Sequence, residues 1–222
     1  MEKDRLTIAF DIDDTSFAFH PRMVEEFNRE LVGTGELTQV KHSLEIDYDF
    51  MRSFAVTPER YREIEYAYIH SEPHLTESPF SGLTENMAEL RRRGHTVLLL
   101  TARPELYKEP TQKRIDKHLA GHGLDPETGL IMVGTPFVYE HEHIMTKGQA
   151  ADIHDIDVLI DDSAEHCREM AEIGRVAILY GNYHWNRPAT YRNRMFSAHN
   201  QQELIERLNW IEARFFGHGN AQ

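Results

Sequence analysis

The chain has 222 residues, and its 37 acidic and 24 basic side chains give a formal net charge of −13 at pH 7. This acidic balance argues against a face that binds duplex nucleic acid, and no apolar run is long enough to cross a bilayer. The single cysteine, Cys167, excludes an internal disulfide and fits a reducing compartment. We therefore expect a cytoplasmic protein with one α/β domain and an insertion, while its oligomeric state is left open.

The first predicted element is a buried strand that ends in acidic residues. The apolar run 6–10 is followed by Asp11, Asp13 and Asp14 and then by Thr15. A buried strand with this ending places the acids at its carboxyl tip. Because like charges a few ångströms apart repel each other by roughly a few kcal/mol, one carboxyl group must be protonated or a cation must lie among them. The simplest explanation is a bound divalent metal ion.

Residues 16–78 are predicted to form an inserted, mainly helical module. Large apolar residues recur at helical spacing from Met23 to Leu31, and a second helix is expected over 58–70. Between these helices, residues 42–53 fit either a loop or a short helix. The module separates the first strand from the remainder of the chain.

Strands and helices alternate through that remainder. The predicted elements are helix 83–93, strand 95–100, a helix through 113–119, strand 130–134, helix 146–153, strand 158–160, helix 163–173, strand 176–180 and helix 201–215. This alternation favours right-handed βαβ crossovers and a parallel sheet flanked by helices. The expected fold class is therefore α/β, with a catalytic core formed by residues 1–15 and 79–222.

Polar side chains follow three of the predicted strands at the point where each strand ends. Asp11 and Asp13 follow the first strand, Thr101 follows the strand 95–100, and Asp161 and Asp162 follow the strand 158–160. In open parallel sheets, ligands bind beyond the carboxyl ends of the strands. These side chains are therefore expected to converge on one site.

The order of these residues resembles the motifs of the haloacid dehalogenase-like hydrolases, which are mostly phosphatases. The matching motifs, in chain order, are Asp11-Ile-Asp13-Asp14-Thr15, Thr101 after an apolar strand, Lys147, and the pair Asp161-Asp162. The resemblance covers almost the whole chain. It implies a Rossmann-like sheet in which residues 16–78 take the place of the helical cap of the family.

The resemblance also implies a role for each motif residue. In similar enzymes the first aspartate, here Asp11, attacks phosphorus and becomes an aspartyl phosphate. Asp13 would protonate the leaving oxygen and then deprotonate the attacking water. Thr101, Ala102 and Lys147 would bind the phosphoryl group and stabilise its charge in the transition state.

A magnesium ion is the cofactor that the resemblance implies. It would be bound by the carboxylate of Asp11, the backbone carbonyl of Asp13 and the carboxylate of Asp161, and would keep several waters. Asp162 would bind it directly or through a water. Asp14 stands where many relatives have glycine, and we expect it only to shape the turn.

The expected function is a Mg²⁺-dependent phosphomonoester hydrolase that acts on a small molecule through an aspartyl phosphate. The segment Thr101-Ala-Arg103 and residues 180–187 look like the 5′(3′)-deoxyribonucleotidase-like branch and its bacterial nucleotidases, which implies nucleoside monophosphates as substrates. A sugar phosphate or another small metabolite phosphate is the alternative. A non-catalytic module that binds metal or phosphate is an alternative of another class, and dehalogenation at carbon is disfavoured because it needs no metal cluster.

Five residues near these motifs have structural interpretations beside the functional ones. Arg103 is either a substrate contact or an ordinary surface cation. Phe17 is either a substrate contact or, like Phe19, Tyr48 and Phe50, part of the small core of the inserted module.

Two further patterns favour a structural interpretation. His141 and His143 lie two residues apart in a predicted loop, which is weak support for a zinc site and favours a surface loop. Cys167 lies in a helix with an apolar face, so a buried structural thiol is favoured over a nucleophile. Lys113 lies on an amphipathic helix and is expected to be solvated, which leaves Lys147 as the better candidate for the site.

Overall fold

The computed structural model describes residues 5–46, 49–122, 129–134, 145–186 and 193–216. The strands in these ranges are β1 Thr7–Phe10, β2 Thr96–Thr101, β3 Leu130–Met132, β4 Val158–Asp161, β5 Val176–Tyr180 and β6 Met195–Ala198. The α-helices in these ranges are α1 His20–Gly33, α2 Phe50–Phe54, α3 Pro58–Ile69, α4 Glu72–Thr76, α5 Leu83–Arg92, α6 Lys108–His118, α7 Lys147–Ile153, α8 Ala164–Glu172 and α9 Gln201–Ile211. None of these helices is both long and apolar enough to cross a membrane.

The six strands form one parallel sheet in the order β3-β2-β1-β4-β5-β6. The central strand β1 pairs with β2 on one side and with β4 on the other, so that Phe10 lies between Leu99 and Ile160. The direction of winding reverses at β1, and the crevice beyond such a switch point is where ligands bind in open α/β sheets. The predicted α/β class with a parallel sheet is confirmed, and the acidic tip of β1 lies at the centre of the sheet.

Apolar side chains cover both faces of this sheet. Successive residues of a strand point to opposite faces, so Ile8 and Phe10 belong to one buried cluster and Ala9 to the other. Leu159 of β4 lies on the same face as Ala9, and Ile160 lies on the opposite face. This burial on both faces explains why β1 and β4 are almost continuously apolar in sequence.

The helices α1 to α4 follow β1, and α1, α2 and α3 carry most of a third buried cluster, to which Tyr107 of the core also contributes. Its centre is a group of phenylalanines, in which the Phe27 ring stacks on Phe50 at 5.5 Å and on Phe54 at 4.9 Å. Phe19 also belongs to this cluster, which confirms the small-core interpretation for Phe19 and Phe50, while Tyr48 lies outside the described residues. We propose that residues 16–78 are a cap, since these helices have a core of their own.

Three element predictions need correction. Strand β6 was not predicted, because Met195–Ala198 is short and contains a serine among its four residues. Helix α4 was not predicted either, since it has only five residues and owes its start to the side chain of Ser71, which accepts a hydrogen bond from the backbone N–H of His74. The strand predicted over 130–134 ends at Met132.

Candidate active site

A tight turn follows β1 and fixes the backbone of the acidic residues. The N–H of Asp11 donates to the carbonyl of Ile160 on β4 at 2.8 Å, and the hydroxyl of Ser16 donates to the carbonyl of Asp11 at 2.5 Å. Asp14 has a φ of +55°, a left-handed conformation that aspartate tolerates better than most residues. The carboxylate of Asp14 accepts hydrogen bonds from the N–H groups of Phe19 and His20, each at 3.0 Å. This geometry agrees with the expectation that Asp14 shapes the turn.

Lys147 joins the tips of β1 and β4. It is the first residue of α7, and Thr146 caps that helix by accepting a hydrogen bond from the N–H of Gln149. The Nζ of Lys147 donates to Oδ1 of Asp11 and, at 2.6 Å, to Oδ2 of Asp161. Burial opposes its charge, but the two carboxylates outweigh this effect and raise the pKa of Lys147. Lys147 is therefore a permanent cation between the two aspartates.

Three carboxyl groups share this small buried region. Oxygens of Asp11, Asp161 and Asp162 lie within 4.8 Å of one another. Burial raises the pKa of Asp11 to about 7, against the opposing effect of Lys147. Burial and the neighbouring carboxylates also raise the pKa of Asp162 well above its usual value, whereas the contacts of Asp161 with Lys147 and His166 outweigh burial and lower its pKa.

This arrangement fits a divalent cation. Lys147 brings one positive charge to three buried carboxyl groups. Burial, and to a smaller extent the neighbouring carboxylates, raises the pKa of Asp11 and of Asp162, and a nearby cation would offset both effects. Buried carboxylate oxygens are the ligands that hard cations such as Mg²⁺ prefer. One oxygen of Asp162 is already held, because the indole N–H of Trp185 donates to its Oδ2 at 2.7 Å.

The side chain of Asp13 lies apart from this group of carboxylates. Its two oxygens accept hydrogen bonds from Arg103, Oδ2 from Nε at 2.8 Å and Oδ1 from Nη2 at 2.7 Å. The metal role that the motif implies for Asp13 uses its backbone carbonyl, which these side-chain hydrogen bonds do not engage. The interpretation of Arg103 as an ordinary surface cation is wrong, since its side chain is 5% exposed.

Thr101 ends β2 beside the turn after β1, and it is buried. Its Oγ1 accepts a hydrogen bond from the backbone N–H of Arg103 at 3.2 Å. A hydroxyl that accepts one hydrogen bond keeps its own O–H for donation, which suits contact with a phosphoryl oxygen. The half-buried Ala102 lies between Thr101 and Arg103 in the chain.

Phe17 does not lie among these residues. Its ring is fully buried in the cluster on one face of the sheet, and the guanidinium of Arg114 lies 4.0 Å from its centroid. A substrate contact by Phe17 therefore has no support in the geometry, because the ring has no exposed surface. His141 and His143 lie outside the described residues, and Cys167 is buried as expected.

Three residues near the site were missed by the sequence analysis. His74 and Arg114 are both buried and contact each other at 3.3 Å, and Trp185 holds Asp162. The position of Arg114 carries a signal, since it shares the spacing of three and four residues that places Thr111 and Ile115 on the buried face of α6. His74 lies in a helix of five residues, too short to show a periodicity. Trp185 lies in the segment 180–187 that carries part of the resemblance, but that resemblance assigns it no role.

No family model matches the chain. A Bacillus cereus protein named "Putative nucleotidase" is 29% identical over 108 residues, which are 49% of this chain and 56% of the relative. The match thus spans only about half the length of that curated relative.

Solved structures resemble the chain over nearly its whole length. A predicted phosphatase from Clostridium acetobutylicum has a TM-score of 0.65 and 13% identity, with 93% of this chain and 99% of that chain covered. A haloacid dehalogenase-like family protein from Streptococcus pneumoniae has a TM-score of 0.62 and 13% identity, with coverage of 92% and 99%. A family hydrolase from Deinococcus radiodurans, solved with bound phosphate and sodium, has a TM-score of 0.58 and 13% identity, with coverage of 95% and 96%.

Proposed function

Since the chain has the fold of the haloacid dehalogenase-like hydrolases, we propose that it is a Mg²⁺-dependent phosphomonoester hydrolase that works through an aspartyl phosphate on Asp11. One observation carries this proposal. The carboxylates of Asp11 and Asp161 are bridged by Lys147 at the carboxyl ends of adjacent strands, with Asp162 beside them. A buried cluster of this kind is costly to fold, and binding a metal and an anionic substrate explains why it is present.

The first half-reaction is assigned to Asp11 and Asp13. A carboxylate oxygen of Asp11 forms the new bond to phosphorus while the bond from phosphorus to the leaving oxygen breaks. Asp13 gives its proton to that oxygen, so that an alcohol leaves. Lys147 fixes Asp11 and offsets the negative charge that accumulates around the phosphoryl group, and the hydroxyl of Thr101 donates to a phosphoryl oxygen.

The second half-reaction returns the enzyme to its starting state. Asp13, now ionised, accepts a proton from water, and the water oxygen attacks phosphorus as the bond to Asp11 breaks. Inorganic phosphate is released. Asp11, Asp161 and Asp162, with the backbone carbonyl of Asp13, would hold the Mg²⁺, which supplies positive charge beside the phosphoryl oxygens when bound.

The proposed substrates are nucleoside monophosphates. The similarity of about half of the chain to the Bacillus cereus relative supports this choice. A sugar phosphate or another small metabolite phosphate is the alternative substrate. The cap, residues 16–78, would select the substrate and exclude water. A panel of phosphomonoesters separates the two classes, because only the first predicts that nucleotides give the highest kcat/KM.

The test of the reaction itself is Asp11→Asn. It should reduce phosphate release from 4-nitrophenyl phosphate to background while the circular dichroism spectrum stays unchanged. Asp116→Asn is the matched control, because Asp116 lies exposed on α6 and accepts a hydrogen bond only from Gln112 among the described residues. EDTA should abolish the activity of the unaltered protein, and Mg²⁺ should restore it. Undiminished turnover by Asp11→Asn would refute the proposal.

A further inference from the structure

The carboxylate of Asp13 lies in the fork of a buried arginine. Nε and Nη2 of Arg103 donate to its two oxygens at 2.8 and 2.7 Å. Two parallel N–H···O bonds fix both the distance and the plane of a carboxylate, which a lysine cannot do. The side chains are 5% and 12% exposed, so water competes little for these hydrogen bonds. The orientation of Asp13 is therefore set by Arg103.

Arg103 is itself held from the other side. Its Nη1 donates to Oγ1 of Thr111 on α6 at 3.0 Å and lies 3.3 Å from Nε2 of His74 on α4. The guanidinium also lies over the ring of Phe19, 5.4 Å from its centroid. With Asp13, these partners engage three of the five N–H groups of Arg103, and a fourth when His74 accepts from Arg103. Such an arginine has little capacity left to bind a substrate.

His74 carries this contact into the inserted helices. Its Nε2 faces Arg103, and its Nδ1 lies 3.3 Å from Nη1 of Arg114. Burial, with the two guanidinium groups, lowers the pKa of His74 far below its usual value. A neutral imidazole has one acceptor nitrogen, so His74 accepts from one arginine at a time. Glu77, which accepts from Nη2 of Arg114 at 3.1 Å, closes this chain of contacts.

We propose that Arg103 is a positioning residue that orients Asp13 toward the leaving oxygen, and that Thr111 and His74 fix Arg103 for this purpose. The inference depends on the proposed function, in which Asp13 transfers a proton. Each carboxylate oxygen has two lone pairs, so the arginine can fix the group while one oxygen exchanges a proton with the substrate. Proton transfer needs the donor and acceptor within about 2.6–3.2 Å, and a loosely held Asp13 would meet that requirement less often.

The dependence of the rate on the leaving group measures this effect. We would compare 4-nitrophenyl, phenyl and benzyl phosphate, which have rings of similar size. Departure of the leaving oxygen depends least on protonation in 4-nitrophenyl phosphate, more in phenyl phosphate and most in benzyl phosphate. The value of kcat/KM reports the first half-reaction, in which that oxygen departs. Arg103→Lys keeps the charge but loses the fork, and it should lower kcat/KM about 100-fold for benzyl phosphate and less than about tenfold for 4-nitrophenyl phosphate.

A second variant and a control accompany this test. Thr111→Val keeps the shape of the side chain and removes only the acceptor for Nη1 of Arg103. The losses of kcat/KM should therefore follow the same order among the three substrates, but each loss should be smaller than in Arg103→Lys. Arg93→Lys is the matched control, since Arg93 also pairs with a carboxylate, that of Glu212, and donates to Asn209 at 2.7 Å. It lies before the start of β2, away from the strand ends that carry the site. All three rates should be unchanged in this control, and thermal melts establish that each variant is folded.

The outcomes separate this inference from the function on which it depends. Two outcomes would overturn the positioning role while the unaltered enzyme remains a phosphatase. The first is an equal loss of kcat/KM for the three substrates in Arg103→Lys, and the second is no loss of kcat/KM in either Arg103→Lys or Thr111→Val. If Arg103→Lys does not fold, Thr111→Val decides in the same way. If the unaltered protein with Mg²⁺ hydrolyses none of the three phosphates, the proposed function and the positioning role both fail.

Discussion

Replacing Lys147 by methionine should strongly destabilise the metal-free protein. The lysine side chain is 1% exposed, and it contacts two carboxylates that are themselves buried, Asp11 and Asp161. Removal of one partner from a buried ion pair costs roughly 3–5 kcal/mol, because the other charge stays buried without compensation. Methionine has a similar length and volume, so little of the effect should come from a cavity.

The expected change is large enough to measure by thermal unfolding. A domain of this size shifts its melting temperature by roughly 2–4 °C per kcal/mol, which gives a decrease of roughly 6–20 °C for Lys147→Met in EDTA. Lys113→Met is the matched control, because Lys113 is exposed and pairs with Glu109 across one helical turn. Exposed pairs of this kind contribute roughly 0.3–0.5 kcal/mol, and the control should shift by about 2 °C or less.

Magnesium provides the second half of this test. A divalent cation among Asp11, Asp161 and Asp162 would replace the lost positive charge, so saturating Mg²⁺ should raise the melting temperature of Lys147→Met more than that of the unaltered protein. Phosphate release should nevertheless fall about 100-fold or more, since Lys147 also stabilises the transferring phosphoryl group. The reasoning would be refuted if Lys147→Met melted like Lys113→Met in EDTA.

Three other predictions concern the surroundings of the site. Gly181→Ala should lower the free energy of unfolding by roughly 1–3 kcal/mol more than Gly174→Ala does. Both glycines have a positive φ, but only at Gly181 would a Cβ overlap a neighbouring side chain, the ring of Tyr183. Equal denaturant midpoints for the two variants would contradict this. Trp185→Phe removes the N–H that holds Asp162 and should weaken Mg²⁺ binding about tenfold or more by isothermal titration calorimetry; unchanged affinity would show that the indole does not support the metal site. Burial raises the pKa of the proposed nucleophile to about 7, so the protonated form stabilises the metal-free fold and this stability is lost as the pH rises through about 7. Between about pH 6 and about pH 8, the melting temperature in EDTA should therefore fall more in the unaltered protein than in Asp11→Asn. An equal fall in the two proteins would count against the raised pKa.

The centre of the fold could be predicted from the sequence because its signals are local. The apolar runs before Asp11 and before Asp161 have the length and composition of buried strands. Acidic residues follow the carboxyl end of each of these strands, and one shared site explains both groups. The parallel sheet then brings the two tips together, as the pairing of Phe10 with Ile160 shows. Lys147 was separable from lysines such as Lys113 for a similar local reason, since Lys113 lies on a predicted amphipathic helix on which solvated lysines are expected.

The partners of Asp13 could not be predicted, because they come from distant parts of the chain. Arg103 reaches Asp13 from the end of the neighbouring strand β2, and His74 of α4 in turn contacts Arg103; no spacing in the sequence encodes these contacts. The ring of Phe17 lies in the cluster on the sheet and not in the core of the inserted module, and this could not be predicted for the opposite reason. Phe17 follows the acidic motif closely, yet the turn directs its ring into the cluster under the sheet, where Arg114 covers it.

Trapping the covalent intermediate tests the central claim most directly. Asp13→Asn should still accept the phosphoryl group from 4-nitrophenyl phosphate, whose leaving group needs little protonation, but should be slow to hydrolyse the aspartyl phosphate. After rapid acid quenching, mass spectrometry should find one phosphoryl group on the peptide that contains Asp11, and hydroxylamine should remove it. A burst of 4-nitrophenol without a phosphorylated Asp11, or a phosphoryl group on another residue, would contradict the proposed mechanism.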